Sequence, residues 1–319
     1  MHKLIIDTDP GIDDAMAIQF ALASPEFEIL GLTTIFGNVD IEKTTTNALR
    51  LLHLAHRPDI PVAQGASRPL EGDFNGGVPF IHGEDGQGNT WASEGSLKPV
   101  AKNAHEFIIE QVRRFPGEIT LATLGPLTNL AKALAIDSQI PELVKQVVCM
   151  GGNVFCPGNA TPAAEANMFS DPEAADQVLG AKWPITLVGL DVTEKTILPK
   201  TDLDELMQNE SAINQHVLRA YEFYQDFFTR VNKIDGSYVH DASVFIYLLN
   251  PSLYVTKEYP IRVDTTQGIG RGKTWPSLGE SDQEGRPALL PWSHRPKIKV
   301  CTGVRDQAVI KLLKQRLME

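Results

Sequence analysis

Four carboxylates fall within eight residues of the opening stretch MHKLIIDTDPGIDDAMAIQF: Asp7, Asp9, Asp13 and Asp14. Two carboxylates about 4 Å apart repel by ~1 kcal/mol in water and by ~4 kcal/mol at an effective dielectric near 20. Several together call for a cation or for raised pKa values. Between Asp7 and Asp14 every ligand is an oxygen, with neither thiolate nor imidazole, which favours a hard ion, calcium or magnesium, over zinc. The spacing is not that of an EF-hand loop. The plainer alternative makes one aspartate a helix cap and leaves the others in solvent.

Other residues carry chemistry at a distance. His240 and Asp241, in YVHDASVFIYLLNP, open an apolar helix. They suit either a metal ligand beside a proton donor or a capping Asp beside a hydrogen-bonded His. Asn159, Glu165 and Asn167 precede a helix expected from Asp171–Pro172 and suit sugar hydroxyls, since a carboxylate accepts and an amide both accepts and donates. Asn38 follows the second strand, as a rim residue or a turn former. His82 lies in the glycine-rich stretch 75–88, a lid or a solvated tip. YEFYQDFF (221–228) stacks aromatics at helical spacing, as a packed helix face or as a wall for a planar ligand. GIGRGKT (268–274) imitates a phosphate loop, but that loop needs Gly six residues before its Lys, where this chain has Gln267.

The elements that must hold these residues alternate. LIID (4–7), EILGLTTIFG (28–37), EITLATL (118–124), QVVCM (146–150) and PITLVGL (184–190) read as strands. DDAMAIQFALAS (13–24, with an Asp cap), 39–56, 127–137 and 211–231 read as helices. KIKVC (297–301) and a last helix near DQAVIKLLKQRL end the chain, and 268–292 reads as loop. This rhythm implies a single α/β domain over residues 1–319, with a mainly parallel central sheet flanked by helices. Ligands of such sheets bind beyond the carboxyl ends of the strands, which puts Asp7 to Asp14 on the functional rim.

Composition bounds the function. The 319 residues are 42% hydrophobic with a net charge of −11, leaving no broad basic face for nucleic acid. No apolar run approaches the roughly 18 residues of a membrane span. Cys149, Cys156 and Cys301 fit neither a zinc knuckle nor a CxxC pair and read as reduced thiols of a cytoplasmic protein without a signal peptide.

In chain order, DTDPGIDDAMAI, TTIFGN, IHGEDGQGN, LGPLTN, MGGN, EANMFSDPEAA and VHDASV resemble the inosine–uridine-preferring nucleoside hydrolases. The resemblance implies a Rossmann-like fold with the site at the strand ends, and a homodimer or homotetramer. It implies calcium-dependent hydrolysis of the N-glycosidic bond of purine or pyrimidine ribonucleosides. One calcium ion would be held by Asp9, Asp14, Asp241 and the Leu124 carbonyl. Ribose would be met by Asp13, Asn38, Asn167 and Asp241, its 5′-hydroxyl by Asn159 and Glu165, with Met150 beneath the sugar. His82 and His240 would face the base. Asp9 would act as general base and His240 as acid, aided by His82. Ala166 stands where many members carry an aromatic. Two other readings are a haloacid-dehalogenase-type phosphatase, whose DxDx[TV] motif fails here at Gly11, and a non-catalytic calcium-dependent nucleoside binder.

Overall fold

Strand β1 (His2–Thr8) sends Leu4 and Ile6 into one hydrophobic cluster and Ile5 into another, as the period-two geometry of a strand requires. A strand apolar on both faces belongs inside a sheet covered on both sides. The computed structural model describes residues 1–93, 95–278, 292 and 294–319, and there β1 lies in the interior of a nine-stranded sheet.

The remaining strands are β2 (Phe27–Thr34), β3 (Val62–Gln64), β4 (Ile119–Thr123), β5 (Gln146–Met150), β6 (Ile185–Val188), β7 (Ile197–Pro199), β8 (Gly236–Tyr238), β9 (Tyr254–Val263), β10 (Thr274–Pro276) and β11 (Lys297–Val304). The large sheet runs β10-β9-β11-β6-β5-β4-β1-β2-β3. From β3 through to β11 the pairings are parallel, and β9 and β10 close one edge antiparallel. Chain order reverses at β1, which pairs with β2 on one side and β4 on the other. Open α/β sheets bind ligands at such a switch point. β7 and β8 form a separate antiparallel pair.

Helices Ile12–Leu22, Ala212–Val231, Ala242–Leu249 and Asp306–Met318 pack over the face that receives Leu4 and Ile6. Helices Ala104–Arg114, Thr128–Ile136 and Pro172–Gly180 cover the other. In Ala212–Val231 the buried Ile213, Val217, Tyr221, Tyr224 and Phe228 recur every three or four residues, the stripe of a helix lying on a core. Ala242–Leu249 is apolar nearly throughout and almost wholly buried.

The fold is thus the single-domain α/β architecture expected, with three local corrections. The first helix starts at Ile12 with Gly11 as its N-cap, not an Asp. Asp14 reaches back from the first turn and accepts the Gly11 N–H at 3.0 Å, so the capping carboxylate sits three residues inside the helix. The glycine-rich stretch 71–91 contains a helical turn, Pro79–His82. Residues 274–276, expected in a loop, form β10, while 279–291 of that loop lie outside the described residues. Among the described residues no helix is long and apolar enough to cross a membrane.

Candidate active site

Alternation along β1 also sorts its polar end. Asp7 follows Ile5 to one face, where the Thr33 hydroxyl (2.5 Å) and Asn129 Nδ2 (2.8 Å) donate to its Oδ1. Burial pushes its pKa up to about 7. It ties β1 to β2 and to the helix after β4, behind the rim. Thr8 turns to the opposite face and donates to Asp14 Oδ1 at 2.5 Å. Asp14 Oδ2 accepts the Gly11 N–H and Asn38 Nδ2–H, each at 3.0 Å.

Asp9 sits at the switch point. The Asn38 N–H donates to its Oδ2 at 2.8 Å. Its Oδ1 is buried without a hydrogen-bond partner among the described residues, and so is Asp13 Oδ1. Gly37 and Gly125 flank the Asp9 carboxylate so closely that a Cβ on either would collide with it. Gly37→Ala is therefore expected to displace the carboxylate, and a shift of about 1 Å at a reacting group costs roughly 10²-fold in rate. Steady-state kinetics on a variant of unchanged fold checks this, and wild-type kcat would refute the cradle.

Oxygens of Asp13, Asp14 and Asp241 lie within 4.8 Å of one another, a gathering that could hold a metal ion. Asp9 is not one of these three. Asp241 comes from the turn that follows β8 and is the N-cap of helix Ala242–Leu249, with no side-chain cap hydrogen bond. Burial, the largest cause, raises the pKa values of all four, and charge repulsion adds to the rise at Asp9, Asp14 and Asp241; Asp13 and Asp14 come to about 6. Buried, mutually repelling, oxygen-only and partly unpartnered carboxylates fit a hard cation. The Leu124 carbonyl, the remaining expected ligand, accepts Asn167 Nδ2–H at 2.6 Å and keeps a second lone pair.

Of the residues singled out from the sequence, Asp7, expected on the rim, and Asp14 do not line the cavity; Asp9, Asp13, Asn38, His82, Leu124, Met150, Asn159, Glu165, Asn167, His240 and Asp241 all line one cavity of about 470 Å³. Glu165 is buried there, accepting the Gly152, Asn167 and Met168 N–H groups at 2.8, 2.8 and 3.1 Å. Asn159 Oδ1 accepts the Ala166 N–H at 3.0 Å. His82 and His240 are both buried, and burial pushes each down to about 4. His82 is therefore no solvated loop residue. The Ile12 N–H donates to its Nδ1 at 3.1 Å, so the neutral ring carries its hydrogen on Nε2. His240 Nδ1 pairs with the Thr193 hydroxyl at 2.9 Å.

The aromatic run 221–228 is divided between core and cavity. Tyr221, Tyr224 and Phe228 are buried in the core, while Tyr224, Phe227 and Phe228 also line the cavity. Tyr224 stands 5.5 Å from the His82 ring and donates its hydroxyl to Asp13 Oδ2 at 3.1 Å. Tyr238 and Glu194 line the same cavity and had no distinguishing pattern in the sequence. Carboxylates and neutral imidazoles around one cavity can accept a proton, hold hydroxyls and stabilise developing positive charge.

Comparison with known proteins supplies the family. The family described as inosine-uridine preferring nucleoside hydrolase matches residues 4–311. The chain is 43% identical to a probable uridine nucleosidase 2 of Arabidopsis thaliana, over 99% of this chain and 98% of that one. It is 38% identical to a pyrimidine-specific ribonucleoside hydrolase of a Shewanella strain, over 98% and 95%. A plant nucleoside hydrolase structure superposes with a TM-score of 0.95 at 40% identity, covering 99% of both chains. A purine-preferring ribonucleoside hydrolase from Gardnerella vaginalis does so with 0.90 at 30%, covering 99% and 98%. With the family model matched over nearly its whole length and with these identities and superpositions, the chain belongs to the inosine-uridine preferring nucleoside hydrolase family and is a ribonucleoside N-ribohydrolase.

Proposed function

We propose that the enzyme binds calcium and hydrolyses pyrimidine ribonucleosides, uridine foremost, to ribose and free base. The observation that carries this reading is the convergence of Asp9 and Asp13, which follow β1, and Asp241 with two neutral histidines on one cavity at the switch point of the sheet. The pyrimidine preference is supported by relatives named as uridine nucleosidases at 42–43% identity.

Asp9, Asp14, Asp241 and the Leu124 carbonyl would hold the ion, with Asp13 beside them. When bound, calcium orients a water and makes it more acidic. Asp9, whose Oδ1 is unpartnered, accepts the proton as the water oxygen attacks C1′. The C1′–N bond breaks through an oxocarbenium-like transition state, and the surrounding carboxylates stabilise the developing positive charge. Asp13 and Asn167 hold the 2′ side of ribose. Asn159 and Glu165 grip the 5′-hydroxyl, and Met150 supports the sugar from below. His82 presents Nε2–H toward the base. His240, its Nδ1 paired with the Thr193 hydroxyl, would offer Nε2–H as well in the tautomer where that hydroxyl donates. Both rings are neutral at pH 7 and serve the departing base as hydrogen-bond donors. Tyr224 and Phe228 offer the flat wall that Ala166 cannot.

The test is a reducing-sugar assay across uridine, cytidine, inosine, adenosine and guanosine. Uridine is expected to lead the purine nucleosides by about tenfold or more in kcat/KM, a gap of the size pocket shape alone can produce. Saturable binding with no ribose released from any of them would make the protein a binder rather than a catalyst. Inosine outrunning uridine would remove the pyrimidine preference.

A further inference from the structure

GIGRGKT, which fails as a phosphate loop, lies in the hairpin that joins β9 to β10. The Asp264 N–H donates to the Lys273 carbonyl at 3.0 Å and the Gly272 N–H to the Asp264 carbonyl at 2.8 Å. Four consecutive residues of this hairpin all touch the segment 153–173. Arg271 makes a two-pronged pair with Glu173 at 2.8 and 2.9 Å. Gly272, at φ +81°, packs so tightly that a Cβ would meet Phe169 Cα at 2.8 Å. The Lys273 ammonium donates to the carbonyls of Asn153 and Cys156. The Thr274 hydroxyl oxygen accepts the Asn153 N–H at 2.8 Å.

Asn153 passes this grip onward. Its Oδ1 accepts the Glu165 N–H at 3.2 Å, and its Nδ2 donates to the carbonyls of Cys156 (3.1 Å) and Ala163 (2.8 Å). The loop between Asn153 and Glu165 has no helix or strand of its own, so its shape depends on such ties. It carries Asn159, which lines the cavity and is joined to the far end of the loop through the Ala166 N–H. An ammonium group placed on two backbone carbonyls three residues apart satisfies acceptors that would otherwise be free to turn away.

We infer that Arg271–Thr274 is a clamp that sets the Asn153–Glu165 loop, and that Lys273 is a positioning residue for recognition of the ribose 5′-hydroxyl. The inference rests on the reading above in which Asn159 and Glu165 hold that hydroxyl. It places a specificity element of the enzyme in a hairpin at the far edge of the sheet, outside the residues that line the cavity.

Uridine and 5′-deoxyuridine separate this role from general scaffolding. Lys273→Met is expected to lower kcat/KM for uridine by roughly 10-fold or more, the worth of a charged hydrogen bond, and for 5′-deoxyuridine by much less, so that the preference for uridine collapses. Lys273→Arg, which keeps two donors, should retain the preference. Thr274→Val tests the same clamp should the Met variant fail to fold, and thermal melting reports the fold of each. An equal loss on both substrates in folded Met and Val variants overturns the clamp. Asn159→Ala in the same assay isolates the underlying reading. If it abolishes the preference while Lys273→Met and Thr274→Val retain it, the clamp alone fails. If the wild-type enzyme shows no dependence on the 5′-hydroxyl, or Asn159→Ala keeps the full preference, both fail.

Discussion

Asp9→Asn should lower kcat on uridine by about 10³-fold, within the range that loss of a positioned general base produces, while the chain remains folded. The amide keeps the shape of the carboxylate and can still accept the Asn38 N–H that now donates to Oδ2 at 2.8 Å. What it cannot do is take a proton from water. Because burial and the neighbouring Asp14 already raise the pKa of Asp9, removing its charge relieves repulsion, and thermal stability of the ion-free chain should hold or rise. Kinetics and melting curves on the same preparation decide the matter. An Asp9→Asn enzyme within tenfold of wild type would show that another group accepts the proton.

Removal of the ion should be as damaging. Dialysis against a calcium chelator is expected to leave less than about 1% of activity, with recovery on adding calcium, since the water would lose the group that orients and acidifies it. The same cluster predicts how stability depends on pH. Asp13 and Asp14 titrate near 6 in the folded ion-free chain against an ordinary 3.8. The folded state therefore holds protons that the unfolded state has released, and these groups cost stability as pH rises from about 4 to 6. Calcium competes with those protons, so the rise in melting temperature that it produces should grow across that interval. His82 and His240, pushed down to about 4, act the other way, their contribution increasing with pH toward their ordinary value. They do so with and without the ion and largely cancel in the difference. A calcium-induced shift that stays flat from pH 4 to 7 would remove these aspartates as the binding site.

Much of the fold was legible because its inner strands are short, apolar and bounded by turn residues. QVVCM coincides with β5, and LIID is the centre of β1. β7, β8 and β10, three residues each, carry too little pattern to be seen, and their pairing depends on partners far along the chain. The helix start was misplaced because Ser, Thr, Asp and Asn ordinarily cap from the N-cap position, whereas Asp14 caps from within. The acids of the rim were conspicuous, yet only the fold brings Asp241 beside Asp13 and Asp14. The need for glycine at 37 and 125 is invisible locally, since the group that demands the space belongs to Asp9. The aromatic run posed a false choice. A helix lying between core and cavity turns Tyr221 inward and Phe227 toward the opening while Tyr224 and Phe228 serve both. Membership of the hydrolase family disposes of the phosphatase reading that Asp7 and Asp9 had invited.

The acids of the first turn and Asp241 lie more than two hundred residues apart in the chain, and this separation has a consequence for the protein during its own synthesis. At about 5–20 residues per second, Asp13 and Asp14 leave the peptidyl-transferase centre roughly 10–50 s before their partner is even polymerised. Throughout that interval the nascent chain has half of an ion site and no helix Ala242–Leu249 to cover β1. The ion can contribute its full binding energy only once nearly the whole sheet is in place. With calcium as the ion proposed above, binding would reward completion rather than nucleate folding, and a chain broken off before Asp241 would gain little from it.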